Sequence, residues 1–327
     1  MAAQFETGRS KIMHATPLPK PLSGIIVPLV TPLLDRDRLD LDALERIVER
    51  LIRGGVHGLF VLGSTGEGPS LSPDQRRTVI REVCAQAAGR LPVVIGISDT
   101  CFSESIRWAA EAEQAGGSGL VLAPPYYLAA SQKELIGYVE RLVSELPLPV
   151  LLYNAPSFTK LSYAPDTVRV LASLPQVVGL KDSSGDRIYF HNVRHLLGKR
   201  PDFAMLVGPE ELLADLLLWG GHGGVSGGAH LWPRLYVDLY EAAVAGDFER
   251  LTALHSHVMF VNTSIYGAST APSNVFKAIK CGLSILGICR DTMAEPLQPF
   301  TPKEREAVRQ AMDELSAAME AEHALAG

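Results

Sequence analysis

From Pro21 onward the chain alternates short apolar or β-branched runs with longer stretches whose apolar residues recur at helical spacing, separated by polar, glycine or proline breaks. The runs at residues 24–30, 58–62, 93–97, 119–122, 150–153, 177–180, 204–207 and 223–226 predict eight strands. Between them, residues 41–52, 73–88, 103–114, 132–146, 165–172, 210–219 and 233–245 predict helices, with Asp40 and Ser72 placed as N-caps. Strands that are apolar throughout are buried on both faces, as in a parallel sheet wrapped by helices. Eight βα units close such a sheet into a barrel. The competing open, doubly wound sheet carries a GxGxxG loop after its first strand, and this chain has none there. The expected fold is therefore a (β/α)8 TIM barrel over residues 21–245. After Gly246 the strand pattern stops, and residues 247–261, 271–286 and 302–320 predict a C-terminal helical extension over 246–327. Residues 1–20 are polar and mixed in charge, without the apolar core of a signal peptide, and predict a flexible N-terminal arm.

Composition narrows the partners. A chain of 327 residues with 47% hydrophobic and 20% charged residues can bury a large core. Its net charge of −6 offers no basic face for nucleic acid or an anionic membrane. No stretch approaches the roughly 18 uninterrupted apolar residues of a membrane span. Cys84, Cys101, Cys281 and Cys289 show neither CxxC nor zinc-ribbon spacing, which fits reduced thiols in the cytoplasm. Small molecules are the expected partners, with no nucleic acid and no membrane.

In a (β/α)8 barrel the reactive groups project from the carboxyl ends of the strands. The sixth run, Val177-Val178-Gly179-Leu180, ends on Lys181 and then Asp182-Ser183-Ser184-Gly185. An amine beside low-dielectric walls loses its proton more readily and becomes a nucleophile toward a ketone. Taken alone, a strand-end lysine is more often a cap reaching solvent. The fifth run ends on Tyr153, and neighbouring strands lie about 4.8 Å apart, so phenol and amine can address one carbon. The second run ends in Gly63-Ser64-Thr65-Gly66-Glu67-Gly68, a glycine-rich turn whose amides and hydroxyls suit a carboxylate, or simply an ordinary βα turn. The fourth ends in Pro124-Pro125-Tyr126-Tyr127. His191 and His195, at i and i+4, lack a third metal ligand and read as a solvated helix face. His222 precedes its strand, at the stable end of the barrel, and the glycines at 223–228 serve close backbone approach as well as any phosphate.

Taken in order, GSTGE, PPYY, YNAPS and GLKDSSGD resemble the family of dihydrodipicolinate synthase and N-acetylneuraminate lyase, from about Pro21 to the helical tail. The resemblance implies a Schiff-base aldolase without metal or organic cofactor, assembled as a homotetramer, a dimer of dimers. It implies that Lys181 forms an imine with pyruvate or another 2-oxo acid and that Tyr153 shuttles protons. Ser64 would link Tyr153 to a second tyrosine, Thr65 would clamp the carboxylate, and Tyr127 would cross into a neighbouring subunit's site. Val225 would present a backbone carbonyl to the substrate. Phe158 departs from the synthases, where arginine typically stands to hold the carboxylate of aspartate semialdehyde. The expected activity is a class I aldolase or lyase cleaving a 2-oxo-3-deoxy (sugar) acid. Alternatives are a dehydratase on a related acid, dihydrodipicolinate synthase itself, or a non-catalytic binding protein on the same scaffold.

Overall fold

The computed structural model describes residues 16–198 and 200–326. Eight parallel strands form a closed barrel: β1 (Gly24–Pro28), β2 (Gly58–Val61), β3 (Val93–Gly96), β4 (Gly119–Leu122), β5 (Val150–Asn154), β6 (Val177–Asp182), β7 (Ala204–Val207) and β8 (Gly223–Val225). The first strand closes the circle by pairing with β8 through Gly24↔Gly223 and with β2 through Ile26↔Gly58. Observed ends differ from the expected ones where polar residues stay in register: β5 continues through Asn154, and β6 through Lys181 and Asp182. Conversely β1 stops at Pro28, and a two-stranded hairpin, Leu33–Asp35 with Arg38–Leu39, follows it outside the barrel.

Helices α1 (Leu41–Arg53), α2 (Pro73–Ala87), α3 (Phe102–Gln114), α4 (Gln132–Val143), α5 (Pro165–Leu171), α6 (Arg187–Leu196), α7 (Leu213–Leu218) and α8 (Pro233–Ala245) follow the strands in turn. Asp40 caps α1 by accepting from Ala43 N, and Ser72 and Gln75 form a reciprocal capping box on α2, as their spacing predicts. The apolar faces of these helices and the outward strand residues make one large core. A second cluster fills the barrel interior: Ile26, Phe60, Val94, Val121, Leu151, Val178, Leu206 and Val225, with Tyr153 and Ala155 toward the carboxyl ends. Leu18 belongs to this inner cluster and packs against Gly119 at the opposite end. Of the arm expected over residues 1–20, residues 1–15 lie outside the described residues. Beyond the barrel come α9 (Phe248–Phe260), continued by a π-helical segment Val261–Ile265, then α10 (Asn274–Ile285) and α11 (Pro302–Ala326). Among the described residues no helix is long and apolar enough to cross a membrane.

Candidate active site

Parallel pairing of β5 with β6 sets Tyr153 directly beside Lys181, and the next pair, Asn154 beside Asp182, points to the other side of the sheet. That outer pair is a lock. Asn154 Nδ2 donates to Asp182 Oδ1 (2.9 Å), while Asn154 Oδ1 accepts from Ser162 Oγ (3.0 Å) and Tyr163 N (3.2 Å). Asp182 also accepts from Ser184 N and Ser184 Oγ. Burial alone would push the Asp182 carboxyl up, and these donors only partly offset it. The two strand ends are thus tied at their outer faces, which holds Tyr153 and Lys181 level on the inner face.

On that inner face Lys181 Nζ lies 4.1 Å from the centre of the Tyr153 ring and 4.9 Å from that of Phe60, and the two rings meet edge to face. Lys181 and Tyr153 are each only 6% exposed. Burial lowers the Lys181 pKa below that of free lysine, with the Tyr153 phenol opposing part of the shift. For Tyr153 the balance runs otherwise. Burial raises its pKa, but the Lys181 charge and hydrogen bonds with Ser64, Ser183 and Lys181 together bring it below that of free tyrosine. Burial and mutual charge thus act on both groups, and each loses its proton more readily than it would in water.

Ser64 Oγ sits 3.4 Å from Tyr153 Oη, and Thr65 beside it is buried. Their loop is tightly folded: Gly68 N and Gly66 N both donate to Gly63 O. A Cβ at Gly66 would stand 2.7 Å from Leu29 O, and one at Gly68 would collide with Leu62 O, so neither position admits a side chain. A cavity of about 230 Å³ opens beside this group, bounded by Ser64, Tyr153, Phe60, Tyr126, Arg76 and Phe158. Val225 is buried on the inner face of β8, in the same interior cluster as Tyr153.

Phe158 stands at the cavity mouth on a helical turn, Pro156–Thr159, that the sequence pattern does not announce. It is 49% exposed, and its ring lies 5.9 Å from that of Phe276 on α10. Lys160 folds back to donate to Ser157 O (2.8 Å), and Arg76 donates to Leu71 O, Pro69 O and Asp99. Tyr127 is not gathered with the others: it is 94% exposed, with φ at 81°. Phe60 and Ser183 complete the surroundings of Lys181 and Tyr153, and the residue pattern had not singled them out. An alternating inner face could have pointed to Phe60; the position of Ser183, immediately after Asp182 and two residues past the lysine, was the available signal for the other. Of the histidines, His191 packs edge-on against Trp219, and His222 accepts from Met205 N at the amino-terminal end of β8.

A closed (β/α)8 barrel with a buried lysine and tyrosine side by side at the carboxyl ends of adjoining strands defines the frame of a class I aldolase. The dihydrodipicolinate synthetase family matches over residues 21–316. A 4-hydroxy-tetrahydrodipicolinate synthase of Thermus thermophilus is 35% identical over 288 residues, covering 88% of this chain and 94% of that protein. That of Pseudomonas syringae pv. syringae is 31% identical, covering 89% and 97%. Among solved structures, dihydrodipicolinate synthase from Bacteroides thetaiotaomicron is 49% identical with a TM-score of 0.87, over 90% of this chain and 99% of that one. A prophage protein of the dihydrodipicolinic acid synthase family from E. coli K12, solved in complex with pyruvate, is 30% identical with a TM-score of 0.85, over 90% and 98%. This chain belongs to the dihydrodipicolinate synthetase family and is a carbon–carbon lyase of its Schiff-base aldolase type.

Proposed function

We propose that the protein forms a Schiff base between Lys181 and pyruvate, or another 2-oxo acid, and cleaves a 2-oxo-3-deoxy (sugar) acid, releasing pyruvate and an aldehyde. The observation that carries this reading is the buried Lys181 Nζ set 4.1 Å from the Tyr153 ring at adjoining strand ends. An amine of lowered pKa attacks the 2-oxo carbon, water leaves, and the protonated imine draws electrons from the breaking C–C bond. Tyr153 takes the proton from the aldol hydroxyl as that bond breaks and returns protons to the adduct. Ser64 orients the phenol, Thr65 with the loop amides holds the pyruvyl carboxylate, and the Val225 carbonyl faces the bound acid. No metal or organic cofactor is invoked. We place the enzyme in the cytoplasm, working as a homotetramer.

A second reading, dihydrodipicolinate synthase, is favoured by the names of the relatives and disfavoured by Phe158. A phenyl ring offers no donor to the carboxylate of aspartate semialdehyde and would strip water from it without compensation. It favours a bulkier or less polar aldehyde half. Two experiments separate these readings. Borohydride added with pyruvate should fix a pyruvyl-derived mass on Lys181, and label on another lysine, or none, removes the mechanism. Incubation with a panel of 2-oxo-3-deoxy acids should release pyruvate from at least one. Retention of the carbon chain with loss of water would instead make the enzyme a dehydratase. Should the parent condense pyruvate with aspartate semialdehyde at kcat/KM above about 10⁴ M⁻¹s⁻¹, within the ordinary enzyme range, the synthase reading replaces the first.

A further inference from the structure

The loop that carries Ser64 and Thr65 is strained at both ends. Leu62 (φ 60°) and Glu67 (φ 54°) flank its Gly63–Gly66 segment, and both lie in the left-handed region that side-chain-bearing residues seldom occupy. Such a conformation persists only where the surroundings over-determine it. Thr31 Oγ1 donates to Gly66 O (2.8 Å), and Arg76 holds Pro69 O and Leu71 O. The remaining hold comes from far along the chain. Glu67 Oε1 meets Lys280 Nζ at 2.5 Å, and Glu67 Oε2 accepts from Ala294 N at 2.7 Å. Lys280, on α10, also donates to Thr292 O at 2.8 Å. The side chains of Lys280 and Glu67 are 0% and 2% exposed.

A pair this deep is a poor device for stability alone, because taking two charges out of water offsets most of their attraction, and apolar residues of similar volume often serve as well. What apolar residues would lack is direction. The Glu67 carboxylate is held at both oxygens, by an ammonium and by an amide, and it lies two residues from Thr65 and three from Ser64. We infer that the Glu67–Lys280 pair is a latch that fixes the Ser64–Thr65 loop for the carboxylate of the 2-oxo acid, so that the C-terminal helices take part in substrate binding. Glu67 and Lys280 are positioning residues and touch no reacting atom. The inference rests on the Schiff-base reading above.

The experiment follows borohydride-trapped adduct on Lys181 against pyruvate concentration in the parent, Glu67→Gln, Lys280→Met and the double variant. Each single variant leaves one partner without its match. The double variant leaves no unpaired charge and is the arm expected to fold without difficulty, as circular dichroism and thermal melting will show. In folded variants the half-saturating pyruvate concentration should rise by about ten- to a hundredfold, the scale of a misplaced binding group. The trapping rate at saturation should fall by a smaller factor, about tenfold at most, because Lys181 and Tyr153 stay on their strands and only the Ser64 contact to the phenol loosens, a split that general loosening would not produce. Half-saturation within about twofold of the parent in the folded double variant overturns the latch and leaves the Schiff-base reading standing. Failure of the double variant to fold assigns the pair to structure alone and overturns it equally. A parent that takes no label from pyruvate brings down the Schiff-base reading, and the latch with it.

Discussion

Lys181 and Tyr153 each change how readily the other holds its proton. Only the free amine attacks a ketone, so adduct formation rises with pH through the lysine pKa. Burial lowers that pKa from the ordinary 10.5, which places the rising limb of the trapping rate below pH 10.5. A limb centred at or above that value would show an ordinary solvated lysine. The phenol opposes part of this shift, since its negative form favours the ammonium. Tyr153→Phe should therefore move the limb to still lower pH while cutting turnover by about 10² to 10⁴, the scale of a lost general acid or base. A variant slowed by less than about fivefold, or with its limb moved upward, would take the proton-transfer role from Tyr153. At the mouth, Phe158→Arg should raise the turnover of aspartate semialdehyde by about two powers of ten, through two charge-assisted hydrogen bonds that phenylalanine cannot make. An unchanged rate would show that the aldehyde half binds elsewhere.

At the scale of the elements, the outer lock between β5 and β6 determines whether those two side chains stay level. Asn154→Ala leaves the buried Asp182 and Tyr163 amide, and the half-buried Ser162 hydroxyl, each short of a partner. The expected cost is about 2–4 kcal/mol of unfolding free energy, from one to two such groups losing compensation, read as a lowered urea midpoint at unchanged slope. A midpoint equal to the parent's would mean that the network contributes nothing. The strands themselves were legible because their apolar runs are continuous, and Lys181 and Tyr153 because each stands where such a run breaks. Other parts were not legible. Glu67, Asp182 and Glu210 are buried carboxylates whose partners lie far away in the chain or on another strand: Lys280 for the first, Asn154 for the second, and Tyr236, Tyr266 and the Gly228 amide for the third. Periodicity reports which face of an element is apolar and says nothing about which distant group will meet a lone charge. The turn that carries Phe158 is too short, at Pro156–Thr159, to show any period at all.

At the scale of the whole molecule, one expected site residue is unused within its own chain. Tyr127 projects with 94% exposure and Leu128 with 75%, beside the half-buried Tyr126 of the cavity wall. A tyrosine held at φ 81° carries about 1–3 kcal/mol of backbone strain, which an isolated, solvated loop would have no reason to keep. An assembly in which Tyr127 reaches a neighbour's Ser64 would account for both the exposure and the strain, and it makes a prediction that a lone chain cannot meet. Lys181→Ala should be inactive for want of the amine, and Tyr127→Phe should be slowed by about 10² for want of a relay hydroxyl. Mixed after gentle dissociation and reassociation, the two should recover activity. In a mixed dimer the Lys181→Ala subunit lends its intact Tyr127 to a site that still holds Lys181, so one site of the two becomes complete. Light scattering on the parent should report a tetramer, and the recovered activity should depend on the fraction of mixed species. A mixture no more active than the sum of its separate components, or a fully active monomer, would return Tyr127 to the role of a surface residue.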